Sequence, residues 1–112
     1  MEIMNLPRGC GKSTNIIVES INTGYPIIVG TINQKKYLME TARKITMQPI
    51  LVYTVNEFCS DMFWNDKSYK PKKVLIDELP NILSILLGTD CEMATMTSKS
   101  IEEYYSHRDE KV

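Results

Sequence analysis

Apolar residues come along this chain in short blocks separated by polar turns, and the blocks alternate between two periods. Residues 26–31, Pro-Ile-Ile-Val-Gly-Thr, are a continuous run of the kind that marks a parallel strand buried on both faces. Residues 48–54, with Pro-Ile-Leu-Val-Tyr, predict a second such strand, and residues 73–77, Lys-Val-Leu-Ile-Asp, a third. Two further strands are expected at 2–6 and at 91–97, the latter with weak alternation because Thr95 and Thr97 share a face with Met93. Between these runs the period lengthens to that of helices. Ile17 and Ile21 fall on one face of a helix over 13–23 that Gly24 should stop. Leu38, Ala42 and Ile45 recur at i, i+4, i+7 in a helix capped by Asn33, with Lys35, Lys36, Glu40, Arg43 and Lys44 facing water. Thr54-Val55-Asn56-Glu57 is a capping box opening a short helix with Phe58 and Met62 on its buried side and Trp64 at its end. Residues 81–87 are almost wholly apolar and end at Gly88, so that helix is expected in the core or against a partner.

Strands alternating with helices predict an α/β fold, a three-layer sandwich around a mostly parallel five-stranded sheet. At 112 residues the chain suits one domain spanning 1–112, with 106–112 a frayed tail and His107 a solvated tail residue. No apolar run approaches the roughly 20 residues of a membrane helix, and the start Met-Glu-Ile-Met-Asn predicts no signal peptide. Cys10, Cys59 and Cys91 are odd in number and far apart, which fits reduced thiols in a cytoplasm and no zinc-ligand spacing. A net charge of −1 gives no global field for nucleic acid or an anionic membrane, so any such contact must be local. The one candidate is the polar connection 65–73, where Lys67, Lys70, Lys72 and Lys73 alternate with Trp64 and Tyr69. That arrangement could bind a DNA backbone with base stacking; the plainer reading is a solvated loop with two half-buried aromatics.

The strongest chemical signal is Leu6-Pro7-Arg8-Gly9-Cys10-Gly11-Lys12-Ser13-Thr14. A loop that cradles phosphates must turn its backbone N–H groups inward, and glycine permits the turn without a Cβ clash. Lys12 would bring a cation to the β and γ phosphates and the Ser13 hydroxyl would ligate the magnesium they carry. The helix that follows adds the partial positive charge of its N-terminus. The strict pattern G-x-x-x-x-G-K-[ST] would place glycine where this chain has Leu6. A second signal is Asp77-Glu78 at the end of an apolar strand, which delivers two carboxylates to the carboxyl edge of a parallel sheet, where ligands bind in such folds. Asp77 is placed to hold magnesium and Glu78 to polarise a water for attack on the γ phosphate; Asp77 could equally cap the next helix, with Pro80 in its first turn.

Together, residues 8–14 and 74–78 resemble the Walker A and Walker B segments of P-loop NTPases, and the Asp-Glu pair is similar to the catalytic-glutamate branch that includes RecA-like motors, helicases and phage terminase ATPases. Gly30-Thr31 and Thr97-Ser98 resemble the small polar segments that end neighbouring strands there. The resemblance implies that strand 91–97 lies between strands 2–6 and 73–77, with Thr97 near the γ phosphate as a sensor. It implies ATP held by Pro7, Arg8, Gly9, Cys10, Gly11, Lys12, Ser13 and Thr14, Mg2+ held by Ser13 and Asp77, and catalysis by Glu78, Lys12 and Thr97. Such motors usually complete the site with an arginine from a neighbour. Arg8, Arg43 and Arg108 are the arginines available, so a protein partner or self-association is expected for turnover.

The leading expectation is therefore a magnesium-dependent ATPase acting as a nucleic-acid-related motor or accessory module, cytoplasmic, in a host cell if phage-encoded. A degenerate scaffold that binds a protein partner without hydrolysis is the alternative, consistent with Leu6 and the apolar helix 81–87. A nucleoside kinase comes third, because the thymidine kinases that share an Asp-Glu strand end carry a cysteine-bound zinc that these cysteines cannot supply.

Overall fold

The computed structural model describes all residues except 2, 8, 10, 66–68 and 98–112. The chain forms two compact units, Ser13–Cys91 and Met1–Lys12 together with the segment from Glu92.

Within the larger unit, β1 (Ile27–Val29) is the middle strand of a three-stranded sheet, paired in parallel with β2 (Val52–Thr54) on one side and β3 (Leu75–Ile76) on the other. The register sets Ile28 opposite both Tyr53 and Ile76. Every residue of β1 is buried, as expected of a strand covered on both faces. Because side chains alternate along it, β1 feeds two cores. Ile27 and Val29 pack with Ile17 of helix α1 (Lys12–Thr23), with Leu38 and Ala42 of α2 (Ile32–Ile45), and with Val52. Ile28 points the other way, to Val55 of α3 (Val55–Phe58) and Ile82 of α5 (Leu79–Leu87). A short α4 (Asp61–Trp64) follows α3. Full burial of Ile17, Ile27, Val29 and Leu38 is worth about 1.5–3 kcal/mol each.

The five-stranded sandwich is not formed by the described residues. Residues 91–97 have no strand structure and all are exposed, Met93 at 83%. With Thr95 and Thr97 on the side of Met93, this segment has no apolar face to bury. The described residues of 2–6 form no strand either, and Ile3 and Met4 are exposed. Strand 91–97 therefore does not insert between 2–6 and 73–77. The third predicted strand shortens to Leu75–Ile76, where β3 finds its ladder partners on β1.

The helices follow the periodicity more closely. Gly24 ends α1 with φ 77° and its N–H donates to the Ser20 carbonyl at 2.8 Å. Helix α2 begins earlier than expected: Thr31, not Asn33, is its N-cap. Thr31 Oγ1 accepts from Gln34 N–H while Gln34 Oε1 accepts from Thr31 N–H, a complete capping box. Ile45 is exposed rather than buried. The box at Thr54 and Glu57 forms as read, but the helix breaks at Cys59–Ser60 into α3 and α4, which leaves Met62 82% exposed. Helix α5 buries Ile82 fully while Leu86 and Leu87 stay exposed.

Candidate nucleotide site

In the smaller unit, Gly9 (φ 84°) and Gly11 (φ 79°) both occupy the left-handed region just before α1 begins at Lys12. A Cβ at either position would meet no atom within 4 Å, so the backbone turn, and not crowding, is what calls for glycine. Pro7 is exposed beside them; Arg8 and Cys10 lie outside the described residues. Lys12, Ser13 and Thr14 occupy the first turn of α1, where the helix dipole favours an anion. Successive N–H groups around left-handed glycines, followed by a helix start, are the parts from which a phosphate cradle is built.

In the larger unit, the connection 24–26 turns α1 directly back into β1, held by Ser20 Oγ donating to the Tyr25 carbonyl at 2.6 Å. Asp77 and Glu78 stand at the carboxyl end of the parallel strands, directly after β3. The Asp77 N–H extends the ladder by donating to the Ile28 carbonyl at 3.1 Å. Glu78 is the N-cap of α5, through its backbone alone, and the side chain makes no capping hydrogen bond. The alternative reading, in which Asp77 caps this helix, is corrected: the N-cap is Glu78.

Glu78 also carries the one left-handed non-glycine backbone among the described residues, φ 61° and ψ 68°. A residue with a Cβ held there stores on the order of 1–3 kcal/mol of strain, which persists when the surroundings over-determine it. The strand ladder fixes its upstream side, and Asn81 and Ile82 N–H donate to its carbonyl at 3.0 and 3.2 Å on the other. Thr97 lies in the exposed segment 92–97 of the smaller unit.

Further polar groups line the same edge. Gln34 Oε1 accepts from Gly30 N–H (2.9 Å), Thr31 N–H (3.1 Å) and Asn81 Nδ2 (3.3 Å). Lys35 Nζ donates to Glu57 Oε1 at 3.0 Å, and the same oxygen accepts from Thr54 N–H at 2.9 Å. Burial opposes ionisation of Glu57, but the Thr54 N–H and the Lys35 ammonium outweigh it and hold the carboxyl below its usual range. Tyr53 is pushed up, first by burial and then by the Glu57 charge and Tyr69. Sequence reading overlooked Gln34, although Thr31-Ile32-Asn33-Gln34 has the same capping-box spacing as Thr54–Glu57.

The lysine-rich connection is partly engaged within the fold. Trp64 makes edge-to-face contacts with Tyr53, Phe58 and Phe63, at 5.4, 5.5 and 5.0 Å between centroids. Its Nε1 donates to the Phe58 carbonyl at 2.8 Å. Lys70 Nζ lies 4.5 Å above the Phe58 ring, and Lys73 Nζ 5.9 Å from that of Tyr25. Tyr69 and Lys72 are exposed, and Lys67 is outside the described residues. A cleft of about 270 Å³ at the end of α2 is lined by Met39, Ala42, Arg43, Thr46, Met47 and Ile50, a set without a carboxylate.

Among the described residues no three His, Cys, Asp or Glu side chains converge on a point that could hold a metal. One hydroxyl and one carboxylate, Ser13 and Asp77, is a donor set that suits magnesium, which keeps most of its shell for water and phosphate oxygens. No helix among the described residues is long and apolar enough to cross a membrane. Compared with family models, curated proteins and solved structures, the chain finds no match.

Proposed function

We propose that this chain is an ATP-binding module that hydrolyses ATP with magnesium, a nucleic-acid-related motor or accessory protein working in a cytoplasm, that of a host cell if it is phage-encoded. The observation that carries the reading is the pair of left-handed glycines, Gly9 and Gly11, leading straight into a helix that starts Lys12-Ser13-Thr14. Asp77 and Glu78 at the end of a parallel strand support it independently.

In this reading the amides of the loop and the Lys12 ammonium bind the β and γ phosphates and stabilise the charge that develops as the γ-phosphoryl group leaves. The Ser13 hydroxyl and Asp77 would hold magnesium, which would neutralise charge across those phosphates. Glu78 accepts a proton from the attacking water, a role that typically contributes about 10²–10⁴-fold to the rate. Thr97 would sense the γ phosphate. An arginine from a partner or a second copy would complete the site.

Steady-state hydrolysis and calorimetric titration of ATP with magnesium test this. Glu78→Gln should keep nucleotide affinity and lose turnover, and Lys12→Ala should lose affinity. Unchanged turnover in Glu78→Gln overturns the assignment. Hydrolysis assayed with and without single- and double-stranded DNA tests the motor reading, which predicts stimulation by one of them.

A scaffold that binds a partner without hydrolysis is favoured by one feature, the exposed Leu86 and Leu87 at the end of α5. Absence of ATP binding by calorimetry would select it.

A further inference from the structure

Gly30 follows the middle strand, and side-chain ends from α5 and α2 crowd it. A Cβ built on Gly30 would lie 2.9 Å from Asn81 Nδ2, 2.9 Å from Ile85 Cδ1 and 3.0 Å from Gln34 Oε1. The absent side chain leaves room for the ends of the Asn81, Ile85 and Gln34 side chains beside the turn after β1. Gln34 Oε1 occupies the middle of that approach. One oxygen gathers the N–H groups of Gly30 and Thr31 and the Asn81 amide, and so ties the turn after β1, the start of α2 and the start of α5 to one point.

Asn81 stands one turn into α5 from Glu78, and its own N–H donates to the Glu78 carbonyl at 3.0 Å. The left-handed backbone of Glu78 is thus clamped at both ends. Upstream, Asp77 is held to Ile28 by the ladder; downstream, Asn81 is held to Gln34 by its side chain. Without the second clamp, the strain at Glu78 could relax by a small rotation of the first turn of α5.

We propose that Gln34 is a positioning residue for Glu78, acting through Asn81 to hold the strained turn that presents Glu78 at the carboxyl edge of the sheet. This rests on the reading of Glu78 as the residue that activates water. A displacement on the order of 1 Å at such a residue is enough to slow chemistry by up to about a hundredfold. Binding of ATP draws on the glycine loop and Lys12, so the effect belongs in kcat and not in KM.

Four variants separate positioning from general stability. Gln34→Ala removes the shared acceptor, Asn81→Asp keeps the shape of the side chain and removes the donor, Gln34→Glu keeps an acceptor, and the Gln34→Ala/Asn81→Asp double variant tests coupling. Each is assayed for kcat and KM with MgATP well below its melting temperature. Amide hydrogen exchange at Asn81 and Ile82, the donors to the Glu78 carbonyl, is measured alongside. We expect kcat to fall about ten- to a hundredfold in Gln34→Ala and Asn81→Asp at unchanged KM, with no further fall in the double variant and recovery in Gln34→Glu. Exchange at Asn81 and Ile82 should quicken in the same variants that lose kcat. Wild-type exchange at these two amides in Gln34→Ala and Asn81→Asp overturns the proposal, as does wild-type kcat in both. Wild-type protein that hydrolyses no ATP overturns the ATPase reading instead, and the exchange pattern then still decides whether Gln34 holds the turn.

Discussion

Lys35 Nζ lies 3.0 Å from Glu57 Oε1, joining the first turn of α2 to the capping box of α3 across the ends of β1 and β2. The two side chains are 24% and 28% exposed, so the pair is only partly screened and is worth about 1 kcal/mol. Glu57→Gln keeps an acceptor for the Thr54 N–H and removes the charge, so it should cost about that much in urea unfolding near neutral pH. The folded-state pKa of Glu57 is lowered, so its stabilisation is fully present above the unfolded carboxyl value of about 4.3 and is lost as pH falls through the folded value. Stability followed downward from pH of about 5 should fall less steeply in Glu57→Gln than in wild type.

Crowding makes a different prediction for Gly30. Gly30→Ala sets a methyl group 2.9 Å from Asn81 Nδ2 and Ile85 Cδ1 and 3.0 Å from Gln34 Oε1, so these side-chain ends must turn aside and the hydrogen bonds on Gln34 Oε1 are disturbed. Loss of a hydrogen bond there costs about 1 kcal/mol, measurable as a lower denaturation midpoint at constant m-value. Gly11→Ala has open space around it but a strained φ, and should cost about 1 kcal/mol in stability or nucleotide affinity without any clash.

At position 78 the backbone and the side chain can be separated. Glycine adopts φ 61° without penalty and alanine does not, so Glu78→Gly should be about 1 kcal/mol more stable than Glu78→Ala. Both remove the carboxylate, and both should abolish ATP turnover. Equal stability of the two variants would mean that the left-handed turn is not maintained in solution.

Trp64 is predicted to matter for folding before it matters for any ligand. Trp64→Phe retains an aromatic ring among Tyr53, Phe58 and Phe63 and deletes the donor to the Phe58 carbonyl, leaving that acceptor unpaired. The expected loss is about 1 kcal/mol by thermal or urea unfolding. Lys72→Ala and Tyr69→Ala, which change exposed groups, test the proposed DNA contact with little effect on stability; that proposal predicts weaker binding of a fluorescent single strand.

The helices were readable because their signals are local. Ile17, Leu38 and Ala42 recur at helical spacing, Gly24 and Gly88 take the left-handed φ that ends a helix, and Thr54–Glu57 closes its box as written. The central strand was readable too, because a strand buried on both faces has no polar residue to obscure it, as at Ile27–Val29. Its neighbours β2 and β3 were readable from the apolar runs at 48–54 and 73–77, while the strands expected at 2–6 and 91–97 are not formed by the described residues, since pairing is decided by partners far away in sequence. Within the candidate site, Gly9, Gly11, Lys12, Asp77 and Glu78 stand out by residue type and spacing. The left-handed backbone of Glu78 and the reach of Gln34 to Asn81 do not, because both arise from how α5 lies over Gly30.

The middle strand of the sheet is the first of its three to be synthesised, and it waits for both neighbours. Ile28 meets Tyr53 on one side but gains Ile76 on the other only after nearly fifty further residues. Until that point a nascent chain carries an apolar strand with one bare hydrogen-bonding edge, a surface that pairs readily with other chains. Fragments ending before residue 75 should therefore aggregate or recruit chaperones, and those extending through α5 should become protease-resistant in one step.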